Sequence, residues 1–277
     1  MHLVQIVIYS IVQGITELFP ISSVGHAVML PYLLGWKSIS HSPTFLPFIV
    51  MLHLGTAFAL FLFFIRDWID LISSLWLPKP KQRRLLGLIV VATIPAAIIG
   101  KLLEKKFTAL FPSALSAAIF LIVNGLILFY ADRLRSNRRS HTKTTAQMGY
   151  LQSFFIGVIQ AFALIPGFSR SGITMTAGLG VGLDYEESAR FSFLLATPII
   201  AGAGILEVPK MLHAHTPGML HFAVIGLILS AIVAFLSTAF LMRYFGSSES
   251  RALRPFGWYC IVVGVIVGIL AALHIHF

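Results

Sequence analysis

The sequence predicts an all-α polytopic membrane protein built as an inverted-topology repeat, in which each half is a broken or re-entrant hairpin plus three transmembrane helices. Hydrophobic residues make up 57% of the 277 residues and charged residues only 11%, whereas an ordinary soluble domain carries about 25% charge. Six apolar runs each approach the roughly 20 residues that a helix needs to cross the hydrocarbon core. Two further apolar stretches are interrupted by proline, glycine and hydroxyl residues.

The elements follow one another in the same order in both halves. The first repeat, residues 1–132, is predicted to hold a hairpin at 3–34 and spans at 45–65, 85–103 and 113–130. A basic cytoplasmic linker, 133–147, follows it. The second repeat, residues 148–277, is predicted to hold a hairpin at 151–182 and spans at 188–206, 218–240 and 255–276.

The basic residues set the orientation of the spans. This arrangement places 14 of the 20 Lys and Arg residues on one side of the membrane and five on the other, with Arg170 inside the second hairpin. Because cytoplasmic loops carry the excess of Lys and Arg, the richer side is predicted to be cytoplasmic. The net charge of +10 therefore indicates contact with anionic membrane lipids, and we do not expect nucleic acid as a partner.

The two interrupted stretches are predicted to enter the bilayer from opposite faces. Three spans follow each of them, and an odd number of crossings turns the second half upside down. The segment Ile11–Gly14 lies 147 residues before the similar segment Val158–Ala161, and a proline follows each one. Inverted repeats place a binding site at the midplane, where the broken helices meet.

The first hairpin carries an acid inside an apolar run. Glu17 is the one acidic residue in such a run, and a carboxylate at the bilayer centre costs at least ~2.5 kcal/mol, which favours a functional role. Gln13 shares its helix face at i, i+4. Ser22, Ser23 and His26 lie just beyond and suit nucleophilic or acid–base chemistry. The alternatives are a structural Glu17–Gln13 pair and a His26 satisfied in the core.

The second hairpin supplies the opposite charge. Arg170 can grip two phosphate oxygens with its planar fork, and Gly167 allows the backbone to approach an anion closely. Hydroxyl groups surround the arginine on Ser169, Ser171 and Thr174. The alternative is that Arg170 extends its charged end to the membrane–water interface, or that it neutralises Glu17 with no ligand present.

Other candidate side chains favour structural roles. His53 lies in an apolar span and is interpreted as a packed core histidine. His213, His215 and His221 lie in or beside one loop and are interpreted as solvated rather than as metal ligands. Cys260, the single cysteine, is interpreted as a small core residue.

Two signatures give the chain a resemblance to a known family. Gln13-x-x-x-Glu17 followed by Pro-Ile-Ser-Ser-x-Gly-His26 resembles the first signature of the undecaprenyl-diphosphate phosphatases, also called bacitracin-resistance proteins. In that family the first position is Glu or Gln. Residues 166–174, Pro-Gly-Phe-Ser-Arg-Ser-Gly-Ile-Thr, match the second signature at every fixed position. Length and segment order agree as well.

The resemblance implies a function. The family removes the terminal phosphate of undecaprenyl diphosphate in the bacterial inner membrane, which recycles the lipid carrier for peptidoglycan synthesis and confers bacitracin resistance. Its site is understood to open to the periplasm, and its activity depends on Mg²⁺ or Ca²⁺. The resemblance assigns catalytic roles to Glu17, His26 and Arg170, and the metal to Glu17 with Gln13. It assigns polar site roles to Ser22, Ser23, Ser169, Ser171 and Thr174.

Several alternatives stay open at this stage. Ser23 or a water molecule could attack the terminal phosphorus. Inverted repeats with broken helices are also a transporter architecture, so a polyprenyl-phosphate transporter or flippase is the competing function. The sequence leaves open the preferred cation, the polyprenyl chain length and the formation of a homo-oligomer.

Overall fold

The computed structural model describes residues 3–36, 45–110, 113–136, 143–213, 219–248 and 250–275. In these residues the regular structure is helical, as predicted for an all-α protein. The helices of the first half are α1 (Leu3–Thr16), α2 (Ser23–Leu33), α3 (Phe45–Phe63), α4 (Ile65–Ser73), α5 (Pro80–Leu110) and α6 (Ala114–Ser136). Those of the second half are α7 (Tyr150–Gln160), α8 (Arg170–Val181), α9 (Tyr185–His213), α10 (Met219–Gly246) and α11 (Arg254–Ala272).

Five of the described helices contain stretches long and apolar enough to cross a membrane. These stretches are Pro80–Leu103, Ala114–Ser136, Tyr185–Ile205, Leu220–Gly246 and Arg254–Ala272. The sixth predicted span, 45–65, corresponds to α3, which meets α4 at a bend of 73°. The described chain thus has five membrane-crossing helices, or six when the bent pair counts as one span.

The helix α4 was not predicted, because residues 66–84 were expected to form a cytoplasmic loop. Its apolar side chains Trp68 and Leu71 are buried, and their spacing of three residues places them on one helix face. The polar residues Arg66, Asp67 and Asp70 lie on a different side of the helix, and Ile69 and Ile72 are exposed. A short amphipathic helix of this kind suits a position along the membrane surface rather than across it.

Both predicted hairpins are broken helices. In the first, α1 and α2 are separated by the irregular residues 17–22. In the second, α7 continues into a 3-10 turn at Ala161–Leu164, and α8 begins after a break. Of the linker predicted at 133–147, residues 137–142 lie outside the described residues; α6 continues to Ser136, and another 3-10 turn occupies Thr145–Gln147.

The two halves pack into one another. The first hairpin helix, α1, packs on α10, and its counterpart α7 packs on α5. Glycines permit both close contacts, because an added Cβ would lie 2.7 Å from Val233 Cβ at Gly14 and 2.2 Å from the Ala92 carbonyl oxygen at Gly157. The last spans of the halves, α6 and α11, also pack together. The inverted orientation of the repeats stays a prediction.

A buried carboxylate ties three helices together at the end of the bundle that is predicted to face the cytoplasm. Asp132, on α6, is 1% exposed. Its Oδ1 accepts a hydrogen bond of 2.7 Å from the hydroxyl of Tyr185, the first residue of α9. The same oxygen accepts one of 3.1 Å from the backbone N–H of Leu253, just before α11. This contact fixes the ends of the three helices relative to one another.

Candidate active site

The site begins where α1 ends. Glu17 follows the last residue of that helix and is 6% exposed. Gln13, one turn earlier, donates from Nε2 to Glu17 Oε2 at 3.2 Å. A carboxylate buried in the protein interior needs hydrogen-bond donors or positive charge to remain ionised. The neighbouring elements supply both.

The start of α2, at the far end of the break, supplies a hydroxyl to the same oxygen. Ser22 caps α2, where its Oγ accepts a hydrogen bond of 3.1 Å from the N–H of Gly25. Ser23, the first residue of α2, donates from Oγ to Glu17 Oε2 at 2.5 Å. A hydrogen bond this short to a carboxylate oxygen is a strong, charge-assisted one. Ser22 is thus a helix cap, and Ser23 is the serine that contacts the acid.

The second hairpin brings the guanidinium. Arg170 is the first residue of α8, and Ser169 caps that helix. Arg170 donates to Glu17 Oε1 from Nη2 at 3.2 Å and from Nε at 3.4 Å. Its Nη1 donates to the carbonyl oxygen of Ser192, on α9, at 3.0 Å. The predicted proximity of residues 17 and 170 is therefore observed.

Two glycines let the hairpin tips approach each other. Gly167 has φ +106°, a conformation that favours glycine, and an added Cβ would lie 2.4 Å from the Ala117 carbonyl oxygen. A Cβ added at Gly25 would lie 3.1 Å from the Cα of Gly167. The backbones of the two hairpins are thus in direct contact beside the Glu17–Arg170 pair.

The hydroxyl groups around Arg170 are bonded to the protein itself. Ser169 Oγ accepts from the N–H of Gly172 at 3.1 Å and lies 3.0 Å from Ser171 Oγ. Ser171 also donates to the carbonyl oxygen of Phe19, in the first hairpin, at 3.1 Å. Thr174 Oγ1 lies 2.6 Å from Ser192 Oγ. These side chains hold α8 in place next to the first hairpin, and their predicted phosphate contacts stay predictions.

The structure places His53 at the site, so the interpretation as a packed core histidine was wrong. His53, on α3, has its Nε2 3.2 Å from Glu17 Oε2. Its Nδ1 lies 2.8 Å from the carbonyl oxygen of Ile49. Because a carbonyl only accepts, Nδ1 carries a proton, and Nε2 faces an acceptor as well. The geometry therefore requires a proton between His53 and Glu17, and His53 is the fourth side chain, after Gln13, Ser23 and Arg170, that contacts this carboxylate.

Both ring nitrogens of His26 have partners, as the alternative of a satisfied histidine predicts, and its catalytic role stays a prediction. Its Nδ1 lies 2.7 Å from the Ser22 carbonyl oxygen, and its Nε2 lies 2.8 Å from the hydroxyl of Tyr259, on α11. The two rings stack with centroids 5.7 Å apart. These contacts connect His26 with α11 rather than with Glu17. Tyr259 could not be singled out from the sequence, since a tyrosine in an apolar span is ordinary.

The protein groups fit a metal that takes most of its ligands from a substrate. In the described ranges, no cluster of three or more His, Cys, Asp and Glu side chains could hold a metal ion. Glu17 provides one carboxylate, and Gln13 beside it carries an amide oxygen. Mg²⁺ is commonly bound through one or two carboxylates together with substrate phosphates. Such a shared cation suits this donor set better than a cage made by the protein alone.

Taken together, the arrangement brings a serine hydroxyl and a guanidinium into hydrogen-bonding distance of one buried carboxylate. Ser23 is hydrogen-bonded to a carboxylate that can take its proton, as nucleophilic catalysis requires. Arg170 adds a buried positive charge, and phosphoryl transfer depends on positive charge at the phosphate oxygens.

Comparisons with known proteins agree along the whole chain. A family model described as "Bacitracin resistance protein BacA" matches residues 6–266. An undecaprenyl-diphosphatase of Granulibacter bethesdensis is 50% identical over an alignment of 290 residues, which covers 99% of this chain and 98% of that protein. Proteins named undecaprenyl-diphosphatase 2 are 47% identical in Chromobacterium violaceum, over 96% of this chain and 98% of that protein, and 45% identical in Oenococcus oeni, over 98% and 99%.

Proposed function

Since the chain belongs to the bacitracin resistance protein family, we propose that the Glu17–Ser23–Arg170 cluster is the active site of an undecaprenyl-diphosphate phosphatase. The protein is an integral membrane hydrolase that converts undecaprenyl diphosphate to undecaprenyl phosphate and inorganic phosphate. This reaction recycles the lipid carrier of peptidoglycan synthesis and confers resistance to bacitracin. The relatives are named as phosphatases, so the transporter alternative is not favoured.

One observation carries the assignment of the site. The side chains that meet at Glu17 come from both broken hairpins and from α3, and Arg170 lies 153 residues from Glu17 in the sequence. Burying an acid, a serine and a guanidinium at one point costs free energy. Such a cluster is therefore expected where the charges and hydrogen bonds serve a reaction. Phosphoryl transfer uses all three.

In the proposed mechanism, Ser23 is the nucleophile and Glu17 is its base. Ser23 Oγ forms a bond to the terminal phosphorus while the bond from that phosphorus to the bridging oxygen breaks. Undecaprenyl phosphate leaves with the electron pair, and the Ser23 proton passes to Glu17 Oε2, 2.5 Å away. Water then attacks the phosphoserine, inorganic phosphate leaves, and Ser23 regains a proton.

Arg170 is assigned to the phosphate oxygens. A guanidinium has five N–H donors, and three of its described contacts go to Glu17 and Ser192. The remaining donors suit the oxygens of the terminal phosphate, where negative charge accumulates in the transition state. His53 stabilises the Glu17 carboxylate from the other side.

A divalent cation, Mg²⁺ or Ca²⁺, belongs to the proposal as well. Glu17 and Gln13 would hold it together with the diphosphate, and it would neutralise charge on the phosphate oxygens. We also propose that the protein lies in the inner membrane with its site open to the periplasm. The excess of Lys and Arg on the opposite side supports that orientation.

The first test is phosphate release by the purified protein in detergent. With a polyprenyl diphosphate as substrate, Glu17→Ala and Arg170→Ala should each lose nearly all activity while remaining folded, because each removes a charge from the reacting centre. The matched controls are Asp67→Ala and Arg190→Ala, since these residues form an ion pair outside the proposed site. Full activity in Glu17→Ala or Arg170→Ala would remove that residue from the mechanism.

The nucleophile is tested by rapid quenching with a substrate labelled on its terminal phosphate. The label should be retained on the unmodified protein and be absent from Ser23→Ala. Labelled inorganic phosphate with no label on the protein would instead establish direct attack by water.

A further inference from the structure

The side chain of Asn124 touches both broken hairpins at once. Asn124 lies on α6 and is fully buried. Its Nδ2 donates to the carbonyl oxygen of Pro20, in the break of the first hairpin, at 3.0 Å. Its Oδ1 accepts from the N–H of Ser169, in the break of the second hairpin, at 3.0 Å. A third helix thus contributes one amide group that joins the two hairpins.

The bonded atoms flank the reacting side chains. Pro20 lies three residues after Glu17 and three before Ser23, while Ser169 directly precedes Arg170. The carbonyl of Pro20 can only accept, and the amide of Ser169 can only donate. A side chain that joins these two groups must donate one hydrogen bond and accept another. The planar amide of asparagine can do both.

The position of Asn124 is itself fixed by close helix packing. The next residue, Gly125, contacts α11 so closely that an added Cβ would lie 2.7 Å from the carbonyl oxygen of Gly257. Asn124 Nδ2 also lies 3.4 Å from Cys260 Sγ, on α11. The amide therefore links both hairpins to the packed helices α6 and α11, which belong to neither hairpin.

On the basis of the proposed function, we propose that Asn124 is a positioning residue for the phosphatase reaction. By holding Pro20 and Ser169 at a fixed separation, it keeps Arg170 at a fixed position relative to Glu17 and Ser23. A displacement of about 1 Å of a positioned group can cost about 10²-fold in rate. Substrate affinity depends less on this register, because the lipid tail and the remaining phosphate contacts are unaffected.

The kinetic test uses Asn124→Leu, which keeps most of the volume and removes both hydrogen bonds. Its kcat should fall by about 10-fold or more, with a KM that changes much less, since the interaction acts in the transition state. The control is Cys260→Ala, which removes the contacts of Sγ with Asn124 Nδ2 and, at 3.8 Å, with the Pro20 carbonyl oxygen, but keeps both hydrogen bonds of Asn124 to the hairpins. This variant should retain its activity. An unchanged kcat, or a loss that appears in KM alone, would overturn the proposal.

A distance measurement tests the same idea without using catalysis. Cys260→Ala gives a cysteine-free chain, and spin labels at Ile15→Cys and Phe162→Cys report on the two hairpins, because both positions are exposed. Asn124→Leu should broaden the distance distribution between the labels. Asn124→Ala gives the same measurement if the leucine variant does not fold. A distribution as narrow as that of the parent would contradict a positioning role, whereas failure of the parent to release phosphate would contradict the proposed function instead.

Discussion

At the scale of single residues, the buried carboxylate of Glu17 is surrounded by hydrogen-bond donors and positive charge. Oε1 receives two hydrogen bonds from Arg170, and Oε2 is contacted by Gln13, Ser23 and His53. A buried charge is tolerated when such partners compensate the loss of water. Because the donors differ in kind, replacing each should have a different effect on the reaction.

The first prediction concerns His53. His53→Leu should lower kcat by about 10- to 100-fold, because Glu17 loses a donor that holds it beside Ser23. His53→Gln should retain more activity, since a glutamine can still donate to the carboxylate. Phosphate release by the purified variants measures both.

His221→Leu serves as the control for this prediction, since His221 is exposed on α10. Equal activity of His53→Leu and the unmodified protein would contradict the role assigned to His53.

Sequence reasoning identified some of these residues and missed others for a physical reason. Glu17 and Arg170 stand out because charges are rare inside apolar runs. His53 and Asn124 occur singly in apolar spans, where a polar side chain with a local partner is common. Only the packing of α3 and α6 against the hairpins reveals that their partners come from the site.

At the scale of elements, the long apolar helices were predictable and the contacts between their ends were not. Hydropathy identifies α6, α9 and α11, because a span needs only length and apolar composition. It cannot identify the Asp132 contact, which depends on where three helix ends meet. The helix α4 was missed for a similar reason, since its nine residues are too few for a span signal.

The second prediction tests the Asp132 contact. Tyr185→Phe removes the hydroxyl that donates to this buried carboxylate and should destabilise the protein by about 1–3 kcal/mol, the cost of losing a hydrogen bond to a charged group. The phosphatase activity of the folded fraction should be unchanged, because the contact is outside the proposed site. Thermal unfolding in detergent measures the loss.

Tyr130→Phe is the matched control for Tyr185→Phe. Tyr130 lies on α6 with 59% of its surface exposed, so its hydroxyl needs no protein partner. If Tyr185→Phe and Tyr130→Phe unfold at the same temperature, the contact does not stabilise the described structure.

At the scale of the whole molecule, orientation follows from charge rather than from packing. The same bundle could be inserted either way up, and the distribution of Lys and Arg predicts the direction. The exposed apolar surface is extensive on the described helices, as expected for a protein covered by lipid rather than water.

The third prediction concerns that orientation. Trp76, which follows α4, is 77% exposed, and Ser113, just before α6, is exposed as well. In intact cells a membrane-impermeant thiol reagent should label Ser113→Cys, whereas Trp76→Cys should be labelled only after the cells are opened. The native thiol is buried and should contribute little labelling. The reverse pattern would show that the protein is inserted the other way up.

The packing of α1 on α10 also has a consequence for biosynthesis. The ribosome makes α1 first, yet the helix that covers its glycine face, α10, belongs to the last part of the chain to emerge. Arg170, which balances the charge of Glu17, emerges well after that acid. The amino-terminal hairpin therefore cannot complete its contacts at Gly14 and Glu17 until α10 and Arg170 have been synthesised.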